Sequence, residues 1–201
     1  MQYFITLLLL FFLELSYANV QTEQTAPDFN LLNSYGEEVK LSEFRGQTVI
    51  LEWTNHGCPF VAKHYKTNNM QSTQAQAKEA NIIWLSIISS APGTQGFVTN
   101  DEANELTKSR NAFPSHVLQD PEGLVGRSYG AKTTPHMYLI DKLGILRYQG
   151  AIDDAGGRGF MFKNLSEAKN YILSALNELN KGKEITDSIT KPYGCSVKYS
   201  S

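Results

Sequence analysis

The chain has few cysteines: two in 201 residues, Cys58 and Cys195. No paired-cysteine spacing of a zinc site is present. The sequence also lacks a basic excess, with a net charge of −2 and an isoelectric point near 6.1. That removes the electrostatic footprint of a nucleic-acid binder. No run of like charge marks a charged tail, and no internal repeat or low-complexity tract is visible. Apolar runs are short. The most apolar, residues 3–13, is interrupted only by Thr6 and falls below the roughly 20 residues that a membrane span needs. A phosphate cradle is missing as well. The glycine run Gly156-Gly157-Arg158-Gly159 does not end in Lys-Ser/Thr or sit between a strand and a helix, so it reads as a mobile loop.

The apolar run has a purpose of its own. Glu14 ends it, and Ser16 and Ala18 supply small residues at the −3 and −1 positions of a cleavage site. Residues 1–18 therefore read as a secretory signal peptide, although no Lys or Arg precedes the run. An uncleaved anchor is the alternative. Cleavage would leave an exported chain, periplasmic or extracellular, with no stable membrane span. In an oxidising compartment, two cysteines are expected to be paired or redox-active.

The length suits one domain with extensions, enough to bury a continuous core without staples. Residues 19–26 are polar and read as a flexible lead-in, 27–182 as the domain, and 183–201 as a tail carrying Cys195. Residues 28–32 and 37–41 flank Asn33, Ser34 and Gly36, the pattern of a hairpin. Residues 48–54 (TVILEWT) are β-branched and aromatic, as a buried strand requires. Pro59 suits a first helical position, and a helix is expected from there to about Ala80. Residues 81–88 form a second apolar strand. Thr99 and Glu102 match a capping box ahead of a helix over 101–110. A short strand at 117–118, strands at 137–141 and 145–152, and a last helix complete the order. In that helix Ala168, Tyr171, Ile172, Ala175, Leu176 and Leu179 form one apolar stripe. Asn164 and Glu167 would cap its start and Gly182 its end. The expected architecture is α/β, a central mixed sheet flanked by helices, with the first strands parallel and the last pair antiparallel.

The segment Trp53-Thr54-Asn55-His56-Gly57-Cys58-Pro59-Phe60-Val61 puts a thiol between a buried strand and a helix. A helix N-terminus stabilises an anion, and the thiolate is the nucleophilic form of cysteine. This arrangement resembles the thioredoxin superfamily. With Ala26-Pro27-Asp28-Phe29, the stretch Leu41-Ser42-Glu43-Phe44-Arg45-Gly46 and the Thr134-Pro135 step, it is similar to the redoxin branch, the alkyl hydroperoxide reductase/thiol-specific antioxidant proteins. The resemblance covers roughly residues 26–179. It implies a thioredoxin-like fold, Cys58 as nucleophile, and a cis proline at Pro135 against the thiol. Two departures stand out. Val61 occupies the second position of the thioredoxin Cys-x-x-Cys. Leu51 and Asn55 occupy the Pro and Thr/Ser places of the peroxiredoxin signature. With Tyr193-Gly194-Cys195-Ser196, the chain looks like redoxins that carry one helix cysteine and one tail cysteine.

Three readings of Cys195 stay open. It resolves Cys58, it forms a permanent disulfide with it, or it is a free thiol that pairs between molecules. Gly194 would supply the mobility that a resolving role needs. Around Cys58, the expected site comprises Trp53, His56, Gly57, Pro59, Thr134, Pro135 and His136, with a protonated His56 or His136 lowering the thiol pKa. The same cysteines and histidines would alternatively hold Cu or Zn. Trp53 and Trp84 read as core or site wall. Arg127 and Arg158 are not placed by the sequence, and His64 and His116 receive no role. The resulting expectation is a thiol oxidoreductase without a cofactor. It would act on a disulfide-containing protein or a peroxide and be reset by an external thiol reductant. A metal-binding module and a non-catalytic interaction protein with a fixed Cys58–Cys195 disulfide are the competing classes.

Overall fold

The computed structural model describes residues 20–156 and 164–200. The signal-peptide reading and most of the glycine run, with Arg158, lie outside the described residues. A seven-stranded mixed sheet forms the centre. Its strands are β1 (Asn30–Asn33), β2 (Glu38–Lys40), β3 (Val49–Trp53), β4 (Ile83–Ile88), β5 (His116–Gln119), β7 (His136–Ile140) and β8 (Leu146–Gly150), in the spatial order β2-β1-β5-β4-β3-β7-β8. β3, β4 and β5 are parallel neighbours, while β7 pairs antiparallel with both β3 and β8. The expected thioredoxin-like α/β class is what the chain adopts.

Alternation along β3 splits the core. Val49, Leu51 and Trp53 enter one cluster with Phe29, Tyr129 and Tyr138. Ile50 enters another on the opposite face with Cys58, Val61, Met70, Met137 and Ile172. Trp53 is fully buried, its ring 5.3 Å from Tyr129 and 5.0 Å from Tyr138. Its indole N–H donates to Ser89 Oγ at 2.9 Å, and Ser89 donates in turn to Asp120. Trp53 is thus a core residue, in the cluster on the opposite face of β3 from the one that holds Cys58.

The helices differ from the sequence reading at three places. The helix expected over 59–80 is two helices, α1 (Pro59–Lys66) and α2 (Asn69–Glu79). The break falls at Asn68, whose φ of 60° is left-handed, a conformation asparagine tolerates better than most residues. The capping box ahead of α3 (Asn100–Ser109) forms in both halves. A short helix, α4 (Leu124–Ser128), follows the turn after β5. The last helix, α5 (Tyr171–Asn180), starts later than expected because Asn170, not Asn164, caps it: Asn170 Oδ1 accepts the Leu173 N–H at 3.0 Å. Asn164 instead serves a turn, accepting from Ser166.

The tail is ordered beside the thiol. β6 (Thr133–Thr134) and β9 (Cys195–Ser196) form their own antiparallel pair, with Thr134 opposite Cys195. Val197 donates to the Lys132 carbonyl at 3.1 Å, and Ala91 donates to the Lys198 carbonyl at 2.8 Å. Tyr199 then closes the tail: its hydroxyl donates to the Ala131 carbonyl at 2.7 Å, and Arg127 lies over its ring.

Candidate active site at the Cys58 and Cys195 thiols

Cys58 is the N-cap of α1, and Pro59 takes the first helical position, where no N–H is needed. The approach from β3 is held by side chains of the loop itself. Asn55 Oδ1 accepts the Gly57 N–H at 2.8 Å, and Asn55 Nδ2 donates to the Gln95 carbonyl at 3.0 Å. Gln95 donates back to the Gly57 carbonyl at 2.9 Å. A Cβ on Gly57 would stand 2.9 Å from Gln95 Cγ, so a small residue is needed there.

The thiol of Cys58 is fully buried and donates to the Thr134 carbonyl at 3.1 Å. The Thr134–Pro135 peptide is cis. Cys195 approaches across the β6–β9 pair and is half-buried; the two cysteines are free thiols in contact. Gly194 makes this approach possible. Its φ is +136°, and a Cβ on it would fall 2.0 Å from the Thr134 carbonyl oxygen. Its part is therefore close approach, where the sequence suggested mobility.

The two thiols are driven apart electrostatically. Burial pushes the Cys58 thiol up. The Cys195 thiol, the Val61 and Cys195 N–H groups and the Thr134 hydroxyl outweigh that and bring it below the ordinary value. Cys195 moves the other way, to about 11, through burial and then through its contact with Cys58. The first proton of the pair therefore leaves from Cys58, so the thiolate forms there before it forms on Cys195.

Neither neighbouring histidine supplies positive charge. Burial, then Lys132, lowers His136 to about 3. Its Nδ1 accepts from the Lys132 N–H at 3.3 Å, and its ring lies 4.6 Å from Tyr138. His56 is lowered by burial and by Arg110, and its Nδ1 is buried without a partner. The expected imidazolium support is replaced by neutral hydrogen bonding. Among the described residues, no group of three or more His, Cys, Asp or Glu is placed to hold a metal ion. Arg127 is taken by the tail end, donating to the Ser200 carbonyl at 2.6 Å.

Sequence reasoning missed Glu52, read only as part of a buried strand. Its carboxylate is fully buried, and it accepts from Trp84 Nε1 at 2.9 Å, Ser86 Oγ at 3.0 Å, Gln74 Nε2 at 3.3 Å and the Tyr65 hydroxyl at 3.3 Å. Tyr65 belongs to α1, so this network ties the helix that starts at Cys58 to β3 and β4. An acidic residue inside an otherwise apolar strand is the signal that would have found it.

A thiol at a helix start, beside a cis proline and a second thiol, on a mixed sheet of this order, defines a thioredoxin-fold thiol oxidoreductase. The chain belongs to the AhpC/TSA family, whose model matches residues 22–149, and it is an oxidoreductase of that thioredoxin-like kind. No curated protein matches it. Among solved structures, it is similar to a hypothetical protein from Sinorhizobium meliloti at 21% identity and a TM-score of 0.77, covering 92% of this chain and 97% of that one. A putative thiol:disulfide interchange protein DsbE from Chlorobium tepidum shares 27% identity at a TM-score of 0.53, over 65% of this chain and 85% of its own. An exposed lipoprotein thioredoxin from Streptococcus pneumoniae shares 25% identity at a TM-score of 0.52, over 76% of this chain and 99% of its own.

Proposed function

We propose that this chain is an exported thiol–disulfide oxidoreductase in which Cys58 is the nucleophile and Cys195 the resolving thiol. The observation that carries the reading is the β6–β9 register, which sets Cys195 opposite Thr134 and in contact with Cys58. The Cys58 thiolate attacks one sulfur of a substrate disulfide. A mixed disulfide forms and the other substrate sulfur leaves as a thiolate. Cys195 then loses its proton and attacks the Cys58 sulfur, releasing the second substrate thiol and leaving a Cys58–Cys195 disulfide. An external dithiol reopens it and is itself oxidised. No step needs a cofactor.

The electrostatics favour this order. After burial, contact with Cys58 is what raises the Cys195 pKa. Once Cys58 is capped as a mixed disulfide its negative charge is gone, so Cys195 ionises more easily when its turn comes.

A peroxide fits the same site as a second substrate class, a reading favoured by the family match. There Cys58 takes the terminal oxygen as a sulfenic acid, the alcohol or water leaves, and Cys195 condenses with the sulfenic acid to release water. Residues 1–18 are the proposed export signal, 19–26 the lead-in, 27–182 the redoxin domain and 183–201 the resolving tail. Export agrees with the pneumococcal neighbour, an exposed lipoprotein thioredoxin. Among the described residues no helix is long and apolar enough to cross a membrane.

The test is a redox cycle on the reduced protein lacking residues 1–18. One equivalent of a small aromatic disulfide is expected to yield one intramolecular Cys58–Cys195 bond, mapped by mass spectrometry, that a mild dithiol reopens. A bond that resists the dithiol would select the fixed-disulfide class, and dimers linked through Cys195 would remove its resolving role.

A further inference from the structure

The tail meets helix α1 twice. Cys195 contacts Cys58 at the helix start, and two residues earlier Tyr193 contacts His64, six residues further along the same helix. At 1.5 Å per residue those helix positions lie about 9 Å apart, more than the roughly 7 Å that the two-residue step from Tyr193 to Cys195 covers when fully extended, so side-chain reach makes up the remainder and the step has little slack. The second contact is therefore a stop on the first.

The Tyr193 contact is built from buried polar groups. His64 and Asp153 are both almost fully buried. Asn69 Nδ2 lies 2.8 Å from His64 Nδ1 and 3.4 Å from Asp153 Oδ2. An amide donor on Nδ1 leaves the imidazole proton on Nε2. That nitrogen lies 3.0 Å from the Tyr193 hydroxyl oxygen, which donates its own proton to Asp153 Oδ1. Donors and acceptors thus run in one direction, from Asn69 through His64 and Tyr193 to Asp153. Burial, followed by Lys63, outweighs Asp153 and keeps His64 neutral, as this chain requires. The ring of Tyr193 has no slack either. It packs edge-on against Phe60 at 5.9 Å, and a Cβ on Gly156 would fall 2.2 Å from its Cδ1.

We propose that Tyr193, clasped by His64 and Asp153, is a positioning residue for the thiol pair: it fixes where strand β9 begins and thereby how closely Cys195 bears on Cys58. The inference rests on the resolving role given to Cys195 above. Downstream, Tyr199 and the Val197 hydrogen bond keep the tail docked without the clasp. Loss of the clasp therefore loosens Cys195 without freeing the tail.

The test uses Tyr193→Phe, which keeps the ring and removes the hydroxyl, and His64→Leu, which breaks the clasp from the helix side. His64→Gln keeps an amide donor for the tyrosine. Each protein is equilibrated in glutathione redox buffers to obtain the effective concentration of Cys195 toward Cys58. The Cys58 pKa is taken from the pH dependence of alkylation, and thermal unfolding is recorded alongside. Both Tyr193→Phe and His64→Leu are expected to lower the effective concentration about tenfold and to raise the Cys58 pKa, with His64→Gln close to the unsubstituted protein. An unchanged effective concentration and pKa in Tyr193→Phe, whatever its unfolding temperature, would reduce the clasp to a structural contact. If the unsubstituted protein forms no intramolecular disulfide in these buffers, the resolving role itself falls and the clasp proposal with it.

Discussion

Replacing Cys58 by serine is expected to slow attack on a disulfide or peroxide by three orders of magnitude or more, about the cost of deleting a nucleophile outright. A serine hydroxyl has no accessible anion at pH 7, whereas the Cys58 thiol sits below its ordinary pKa. The partner substitution has a different signature. Cys195→Ser leaves a hydroxyl that still donates toward Cys58, so the first attack is expected to stay within a few-fold of the original rate. Serine cannot close the disulfide, so the mixed disulfide with substrate accumulates instead of resolving. Stopped-flow release of a chromogenic thiol, followed by intact mass, separates the two. A Cys195→Ser protein that turns over normally would contradict the division of roles.

The largest effect on stability is expected at Glu52. Its carboxylate collects four donors, and the Trp84 indole N–H depends on it most. The Trp84 indole N–H is fixed by its ring. Gln74 cannot flip because its Oε1 already accepts the Phe113 N–H at 2.8 Å, and its Nε2 keeps only the Tyr65 hydroxyl, at 3.2 Å, besides the carboxylate. Glu52→Ala strands the indole N–H and empties the centre of the network, and is expected to cost about 3–5 kcal/mol. Glu52→Gln keeps one carbonyl acceptor and should lose less. Urea unfolding of the three proteins measures the difference. A loss for Glu52→Ala within about 1 kcal/mol would mean that water or a shifted side chain replaces the carboxylate.

Most of the core architecture can be read in the sequence because it is carried by local signals. The apolar strand over 48–54, Cys58-Pro59 and the Thr99–Glu102 capping box each act within a few residues, and the structure uses all three. Boundaries that depend on which of two similar residues caps a helix were harder: Asn164 and Asn170 obey the same rule, and packing chose the second. The tail was the least legible. β9 is two residues long and is held by main-chain pairing to Thr133–Thr134, which leaves no hydropathy pattern. His64 looked like an ordinary helix polar residue because its partner, Tyr193, lies 129 positions away. The sequence sets His56 two residues before Cys58 and His136 directly after Pro135. Their charge state was not legible, since it depends on burial that spacing does not encode.

The central claim is that the two thiols are in contact and unequal. Differential alkylation of the reduced protein across pH, with each cysteine quantified by mass spectrometry in the same sample, tests it most directly. Cys58 is expected to ionise below the ordinary thiol value of 9.0 and Cys195 near 11. Because the Cys195 thiol is itself a cause of the Cys58 shift, Cys195→Ala should move Cys58 upward. Two thiols ionising together, or a Cys58 at or above 9.0 that ignores Cys195→Ala, would contradict the account.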